Sequence, residues 1–261
     1  MAENFHFMDV VSGSQRPPSL DSASIYFSHE SLVLDYEEPL TRQEAIKSFR
    51  HRNTTTAPPS SYYDFSAHFL WCGARTVQTH NAHVEFLRGV RNPIGVKVSP
   101  TTTADELVQL VKTLDPHKEV GRLTLICRYG ANKVRDCLPG HIKAVQETGH
   151  PVIWSCDPMH GNTKTLHNVK TRDYNDILGE VLASIEIHEQ LGSRLGGVHI
   201  EVTGELDEQG GSVTEVIGGS AELAPEDLGK NYLSGCDPRL NHEQGLDLAF
   251  ALARRYMQSP P

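Results

Sequence analysis

The sequence predicts an α/β fold in which parallel strands alternate with helices. Short apolar runs of strand length recur along the chain, and most are followed by a segment with the apolar spacing of a helix. Several of these runs end in a polar or charged residue, as is typical where a strand leads into a functional loop. Because strands joined through helices form a parallel sheet, this pattern favours a sheet with helices packed outside it.

The composition is that of a globular chain with an acidic charge balance. The chain has 261 residues, of which 38% are hydrophobic and 22% are charged, and its formal net charge is -9. This length suits one large core, since α/β barrels reach this size as single domains. The negative charge argues against a nucleic-acid partner, although it leaves room for a small basic pocket that binds a phosphorylated substrate.

Cysteine usage and hydropathy favour a cytoplasmic protein without a membrane segment. The five cysteines are an odd number without a CxxC pair, which argues against a disulfide scaffold and for a reducing compartment. No apolar run approaches the roughly 20 residues of a membrane helix. The first residues lack a basic region followed by an apolar run, so we expect no signal peptide.

The chain divides into an arm or linker over residues 1–23 and one domain over residues 24–261. Within the arm, residues 5–11 are a candidate strand, and residues 13–22 are typical of a linker. Thr41 and Glu44 have the spacing of a capping box, which predicts a short helix near residues 42–50. Residues 51–62 are rich in Thr, Pro and Ser and predict a loop.

Six strands are predicted, with most of the helices between them. The strands are expected at residues 25–34, 69–72, 94–98, 123–127, 152–156 and 198–202. The helices are expected at residues 82–89, 107–114, 139–148 and 174–191, and a last one follows residue 241. Asn241 and Gln244 are expected to cap this last helix, and Gly149 to end the third. A closed (β/α)8 barrel needs eight strands, so the prediction is two strands short.

Charged side chains follow nearly all of the predicted strands. The basic residues and the potential metal ligands are Arg75, Lys97, Arg128, His160, Glu201 and Asp237. In a parallel barrel the carboxyl ends of the strands converge on one face, so these side chains are expected to meet there. Three cations suit a phosphate plus a carboxylate. One imidazole and two carboxylates suit a divalent cation such as manganese, iron, cobalt or zinc.

Each of these residues also has an ordinary structural explanation when it is taken alone. An Arg at a strand end is about as often part of a surface ion pair, and a single His near a strand is more often structural than metal-bound. The functional interpretation depends on six such residues at six separate strand or loop ends. Cys72, Cys127 and Cys156 are expected to be buried small hydrophobes. Cys236 adjoins Asp237, but its place in the motif favours a structural role.

Five long segments match the motifs of one enzyme family. They are HVEFLRGVRNPIGVKV, GRLTLICRYGANKVRD, CDPMHGNT, GGVHIEVTGE and CDPRLN. Together they resemble the C-terminal part of type II 3-deoxy-D-arabino-heptulosonate 7-phosphate synthase, from about Ser24 to Met257. The resemblance implies a (β/α)8 barrel, here incomplete with about six βα units. It also implies the enzyme that opens the shikimate pathway by joining phosphoenolpyruvate to erythrose 4-phosphate.

The resemblance implies a metal site and a mechanism. His160 in DPMHGNT, Glu201 in HIEVTG and Asp237 in CDPRLN match family metal ligands, with manganese expected first and cobalt, iron or zinc as alternatives. The implied reaction is attack by C3 of phosphoenolpyruvate on a metal-activated aldehyde, followed by addition of water at C2 and loss of phosphate. Lys97, His160 and Lys170 are the expected catalytic residues.

The resemblance also implies which residues bind the two substrates. Arg75 in GART, Lys97 in GVKV and Arg128 in ICRYG match residues that hold phosphoenolpyruvate in the family. Lys170 in VKTRD matches a lysine that faces the aldehyde substrate. Each of them would offer a positive charge to a phosphate or carboxylate oxygen.

The chain departs from the family pattern in several places. The segments that carry the family's metal-binding Cys and its Lys-Pro-Arg clamp for the aldehyde's phosphate are not found. Ala74 stands where the family has an acidic residue, and residues 206–211 have the look of an insertion. Two missing strands would leave open sheet edges. We expect them to be covered by residues 5–11, by a second copy in a homodimer or larger oligomer, or by a partner chain.

Three functions stay open at this point. The first is metal-dependent condensation of phosphoenolpyruvate, or a related 2-oxo acid, with an aldehyde or aldose phosphate. The second is a non-catalytic regulatory or partner subunit derived from such a synthase, which the open edges favour. The third is a lyase or hydrolase that reuses the metal cleft, for which Ala74 and the insertion leave room.

Overall fold

The computed structural model describes residues 25–44, 60–221, 223, 228 and 236–258. The strands are β1 (Ser28–Glu30), β2 (Thr41–Glu44), β3 (Ser61–Asp64), β4 (Phe69–Cys72), β5 (Ile94–Val98), β6 (Leu123–Cys127), β7 (Ile153–Cys156), β8 (Lys164–Leu166), β9 (Val169–Asp173), β10 (Leu195–Val198) and β11 (Val216–Ile217). The helices are α1 (Leu34–Glu37), α2 (Ala82–Gly89), α3 (Ala104–Leu114), α4 (Val134–Thr148), α5 (Tyr174–Gln190) and α6 (His242–Gln258).

Six of these strands form one parallel sheet in the order β1-β4-β5-β6-β7-β10. Every neighbouring pair in it is parallel. From β4 onward each strand is joined to the next through a helix, which is the connection that parallel neighbours require. Among the described residues β1 and β10 are the two edges, so the barrel is not closed there. β2 and β3 form a separate hairpin, and β9 lies between β8 and β11.

Apolar side chains from the sheet and from α2 to α5 form the main core. All five residues of β5 are buried, as expected for a central parallel strand that is covered on both faces. Along α3 the buried residues Leu107, Leu110, Val111 and Leu114 form one stripe, and the other residues of the helix are mostly polar. A second, smaller cluster joins α6 and the loop after β7 through Met159, Tyr174, Ile177, Val216, Leu240 and Leu248.

The structure confirms the predicted elements whose apolar pattern is strong. The strands at residues 69–72, 94–98 and 123–127 and the helix at residues 82–89 have the predicted bounds. The helix predicted at 174–191 is α5. The helix predicted at 139–148 begins five residues earlier, and Gly149 caps its end with φ +67. The cap of α6 is also present, since Gln244 N donates to Asn241 Oδ1 at 2.9 Å.

The strand predicted at 152–156 begins one residue later, at Ile153, and two other predicted strands differ more. The strand predicted at 25–34 extends over three residues only, because β1 pairs with Phe69, Leu70 and Trp71 and the chain enters α1 at residue 34. The strand predicted at 198–202 lies at residues 195–198 instead. Gly196 and Gly197, which precede the predicted strand, belong to β10. At Gly196 the absence of a side chain lets the strand approach Ile153 and the main-chain oxygen of Trp154 closely. Glu201 therefore lies in a loop.

The prediction of a helix near 42–50 is wrong for its first residues. Thr41–Glu44 form β2 and pair antiparallel with Ser61–Asp64, so cross-strand pairing overrides the local capping signal. The same pairing places residues 61 and 62, predicted as loop, in β3. The rest of the predicted helix, residues 51–59 of the predicted loop, and the arm with its candidate strand at 5–11 lie outside the described residues.

No helix in the described part of the chain combines the length and the apolar character needed to cross a membrane. All five cysteines have free thiols, and Cys72, Cys127 and Cys156 are buried, as predicted. Burial raises the pKa of Cys127 to about 12, which is the behaviour of a packed thiol and not of a reactive one.

Two glycines, one inside α4 and one at its C-terminal cap, lead to opposite expectations for alanine. Gly149 has φ +67, where a side chain is strained, so Gly149→Ala is expected to lower the free energy of unfolding by about 1 kcal/mol. Gly140 lies inside the helix, and an added Cβ would meet nothing within 4 Å. Gly140→Ala is therefore expected to raise the free energy of unfolding by up to about 1 kcal/mol. Urea denaturation measures both, and changes of the same sign would contradict this account of the helix end.

Candidate metal centre

Three loops bring together His160, Glu201 and Asp237. His160 lies in a short 3-10 turn after β7, Glu201 follows β10, and Asp237 precedes α6. One potential ligand atom from each residue lies within 4.8 Å of the others, and all three residues are half-buried. His160 Nε2 is 3.5 Å from Glu201 Oε1. The structure thus places the three predicted ligands close enough for one cation to contact them together.

Asp157 fixes the orientation of the His160 ring. The Asp157 side chain is fully buried, and its two oxygens lie 2.8 Å and 3.0 Å from His160 Nδ1. Because Nδ1 donates in these contacts, Nε2 keeps its lone pair on the side of Glu201. Burial alone would raise the pKa of Asp157, but the hydrogen bond from His160 and the charge of Lys97 hold it well below its usual range.

Lys97 is the second cation that pairs with Asp157. It belongs to β5, its side chain is almost completely buried, and its Nζ donates to Asp157 Oδ2. The ammonium also lies 6.0 Å from the centre of the Trp71 ring. Removing one partner of such a buried pair leaves an uncompensated charge, which costs about 3–5 kcal/mol. Lys97 and His160 thus share one partner, the carboxylate of Asp157.

Arg128 adjoins the same loop and has an unused donor. Its Nη2 donates to the main-chain oxygen of His160 at 3.1 Å. Its Nε is buried and has no hydrogen-bond partner in the part of the chain that the structure describes. A buried donor left unpaired costs about 1–3 kcal/mol, so this N–H is available to an acceptor that binds there.

The other two predicted substrate residues are more exposed. Lys170, in β9, has its Nζ 3.2 Å from Asp237 Oδ1, so it lies at the edge of the cluster. Arg75 is exposed after β4, and no hydrogen bond or ion pair links it to the described residues. The structure therefore brings Lys97, Arg128 and Lys170 to the cluster through direct or shared contacts, but it does not bring Arg75 there in this way.

Comparison with known proteins places the chain in a family. It matches the model of the class-II DAHP synthetase family over residues 1–253. The chain is a class-II DAHP synthetase family member. This confirms the resemblance found in the sequence.

Three curated relatives bear the name phospho-2-dehydro-3-deoxyheptonate aldolase. The one from Neurospora crassa is 46% identical over 98% of this chain and 53% of its own length. Those from Mycolicibacterium smegmatis and Streptomyces coelicolor are 47% and 44% identical over 95% and 92% of this chain. The chain spans about half the length of the relatives that it matches.

Glu180 is a buried charged residue beside the candidate site that the sequence prediction missed. It is fully buried in α5 and accepts hydrogen bonds from the Tyr129 and Gly130 amides at 2.8 Å and 2.9 Å and from Asn162 Nδ2 at 2.8 Å. The Glu180 carboxylate therefore links the loop that carries Arg128 with the loop that follows β7 through hydrogen bonds. A signal was present in the sequence, since residue 180 falls on the apolar stripe of the helix between Ile177 and Val181.

Arg172 was missed as well. It lies in the β8–β9 hairpin, which the prediction did not contain, and its guanidinium donates to Glu201. The hairpin turns at His167 and Asn168, whose φ values are 48 and 63. Positive φ at both central residues is typical of a two-residue hairpin turn, but the usual Asn-Gly signal is missing here.

We expect Glu180 to make the protein less stable as the pH rises toward neutrality. Burial raises the pKa of Glu180 from 4.5 to about 7, although the hydrogen bonds that it accepts act in the opposite direction. Because the folded state then binds this proton more tightly than the unfolded chain, stability is lost as the pH rises between these two values. The loss from this one group is up to about 3 kcal/mol.

Unfolding in urea at pH 5 and pH 7.5 compares the wild type with Glu180→Gln, which cannot titrate. The free energy of unfolding of the wild type, relative to that of the variant, should be lower at pH 7.5 than at pH 5. Glu186→Gln, an exposed position on the same helix, is the matched control and should follow the wild type. A wild-type-to-Gln difference that stays constant with pH would exclude this role for Glu180.

Proposed function

We propose that this family member takes part in the synthesis of 3-deoxy-7-phosphoheptulonate, as a transferase that condenses phosphoenolpyruvate with an aldose phosphate. The observation that carries the proposal is the convergence of His160, Glu201 and Asp237 from three separate loops. The names of the curated relatives support the same reaction class. Erythrose 4-phosphate is the aldehyde that we assign first.

The residues of the cluster fit a divalent metal ion. They offer one imidazole nitrogen and two carboxylates, a donor set that suits manganese and also cobalt, iron or zinc. The fit is supported by Asp157, which occupies Nδ1 and leaves Nε2 of His160 as a ligand. An ion held there would polarise the aldehyde carbonyl and so make its carbon more electrophilic.

Arg128 and Lys97 are the residues that we assign to phosphoenolpyruvate. The unpaired Nε of Arg128 needs an acceptor, and a phosphate or carboxylate oxygen would supply one. Lys97 lies behind the shared carboxylate of Asp157, where its charge favours an anion in the cleft. We assign Lys170 to the aldehyde substrate because its ammonium lies at the outer side of the cluster, against Asp237. Support for Arg75 comes from its GART motif alone.

In the proposed reaction a carbon–carbon bond forms between C3 of phosphoenolpyruvate and the aldehyde carbon. The aldehyde oxygen takes up a proton, water adds at C2, and inorganic phosphate leaves. Fixed cations stabilise charge that develops on oxygen during these steps, and fixed positions keep the two substrates aligned. Lys97, His160 and Lys170 are the residues to which we assign these tasks.

A partner function is the second candidate, and the open sheet edge favours it. We take the sheet as part of a (β/α)8 barrel in a domain over residues 24–261. Next to β1, the side chains of Ile25, Tyr26 and Phe27 are 83%, 68% and 71% exposed. An edge that has no second strand among the described residues, next to exposed aromatic side chains, favours coverage by a second copy or by a partner chain. In this case the chain would contribute to a synthase without acting alone.

Calorimetric titration of phosphoenolpyruvate into Mn²⁺-loaded protein tests the first candidate. The wild type is expected to bind, and Arg128→Ala is expected to weaken binding by roughly 10-fold or more, because it removes a charge-assisted hydrogen bond. Arg135→Ala is the matched control, since Arg135 is exposed and pairs with Glu186 on the neighbouring helix. Absence of binding in the wild type, with Mn²⁺ bound, would contradict the phosphoenolpyruvate assignment.

Consumption of phosphoenolpyruvate in the presence of erythrose 4-phosphate separates the two candidates. The first predicts turnover by the purified chain that stops when a chelator removes the metal. The second predicts binding without turnover until a partner chain is added.

A further inference from the structure

The guanidinium of Arg172 is completely buried beside the candidate metal centre. Arg172 belongs to β9 and is the largest fully buried side chain among the described residues. Burying a cation is costly unless hydrogen bonds and an opposite charge compensate it. The positions of its hydrogen-bond acceptors therefore indicate the role of this buried charge.

Each hydrogen bond that the Arg172 side chain donates falls on a segment that carries one member of the cluster. Nε donates to Thr163 Oγ1 at 3.0 Å, three residues after His160. Nη1 donates to Glu201 Oε2 at 2.5 Å and to the main-chain oxygen of Pro238, the residue after Asp237. One planar fork therefore contacts all three ligand-bearing segments, which a flexible ammonium cannot do.

These contacts also determine how Glu201 is presented. Glu201 Oε2 accepts the hydrogen bond from Arg172. Glu201 Oε1 is therefore the oxygen that faces His160 Nε2, at 3.5 Å. Two residues earlier, on the same face of β9, Lys170 lies 3.2 Å from Asp237 Oδ1. The hairpin thus contacts both carboxylates of the cluster from one side.

We propose that Arg172 is a positioning residue that sets the spacing of the three ligands of the divalent-cation site. The inference rests on the proposed metal-dependent function. Arg172 does not touch the cation in this role. It holds Glu201 and the loop of Asp237 in place before the cation arrives, and hydrogen bonds of this kind to ligating carboxylates stabilise metal sites.

Calorimetric titration of MnCl2 into metal-free protein tests the proposal, with the melting temperature of each metal-free protein as a second readout. Arg172→Lys keeps the charge beside Glu201 but cannot also reach Thr163 and Pro238. It is expected to weaken Mn²⁺ binding by about 10–100-fold. Arg135→Lys, at an exposed position, should leave the affinity unchanged.

Thr163→Val is a milder variant that keeps the test decisive if Arg172→Lys does not fold. It removes the acceptor of Arg172 Nε, and we expect the protein to stay folded with Mn²⁺ bound several-fold more weakly. An unchanged Mn²⁺ affinity in a folded variant, with only a lower melting temperature, would mean that Arg172 supports the hairpin alone, and it would overturn the proposal.

His160→Ala separates failure of this inference from failure of the proposed function. If the wild type binds no Mn²⁺, or if His160→Ala binds it as tightly as the wild type, the metal site itself is refuted and the role of Arg172 with it. If the wild type binds, His160→Ala does not, and Arg172→Lys and Thr163→Val bind normally, only the positioning role is refuted.

Discussion

The buried carboxylate of Asp157 is the contact on which the arrangement of the site depends. It accepts from Lys97, 60 residues away in the sequence, and from the ring of His160 three residues later. A charge in this position must be paired, because an isolated buried ion costs several kcal/mol. The pairing therefore fixes a strand of the sheet, the loop after β7 and the direction of His160 Nε2 at the same time.

Two further buried groups complete this support. Glu180 joins the loop of Arg128 to the loop after β7, and Arg172 joins Glu201 to the segment before α6. The candidate ligands are half-buried, whereas the groups that hold them are fully buried. One side of the cluster is thus accessible from solvent, and the other is held by charges that cannot move without leaving a partner unpaired. This division suits a site that must be preorganised before it binds a cation.

The sequence predicts well what depends on periodic apolar residues and on motifs, and poorly what depends on single long-range contacts. The strands β4, β5 and β6 and the cap of α6 follow from local pattern. His160, Glu201 and Asp237 follow from motifs, and the structure brings them together. Arg172 is not found in this way, because its partner is distant: Arg172 and Glu201 are 29 residues apart. For Glu180 the apolar stripe of the helix marks the position as buried, but its partners Tyr129 and Gly130 are about 50 residues away and leave no local signal. The exposed position of Arg75 likewise depends on a loop that pattern does not define.

Anomalous diffraction at the manganese edge, from crystals grown with Mn²⁺, is the most direct test of the central claim that the three loops form a metal site. The account predicts one strong peak between His160 Nε2, Glu201 Oε1 and the carboxylate of Asp237, with Asp157 still bonded to His160 Nδ1 and Arg172 to Glu201 Oε2. A peak at other residues, or no peak at a cation concentration that saturates binding in solution, would contradict it.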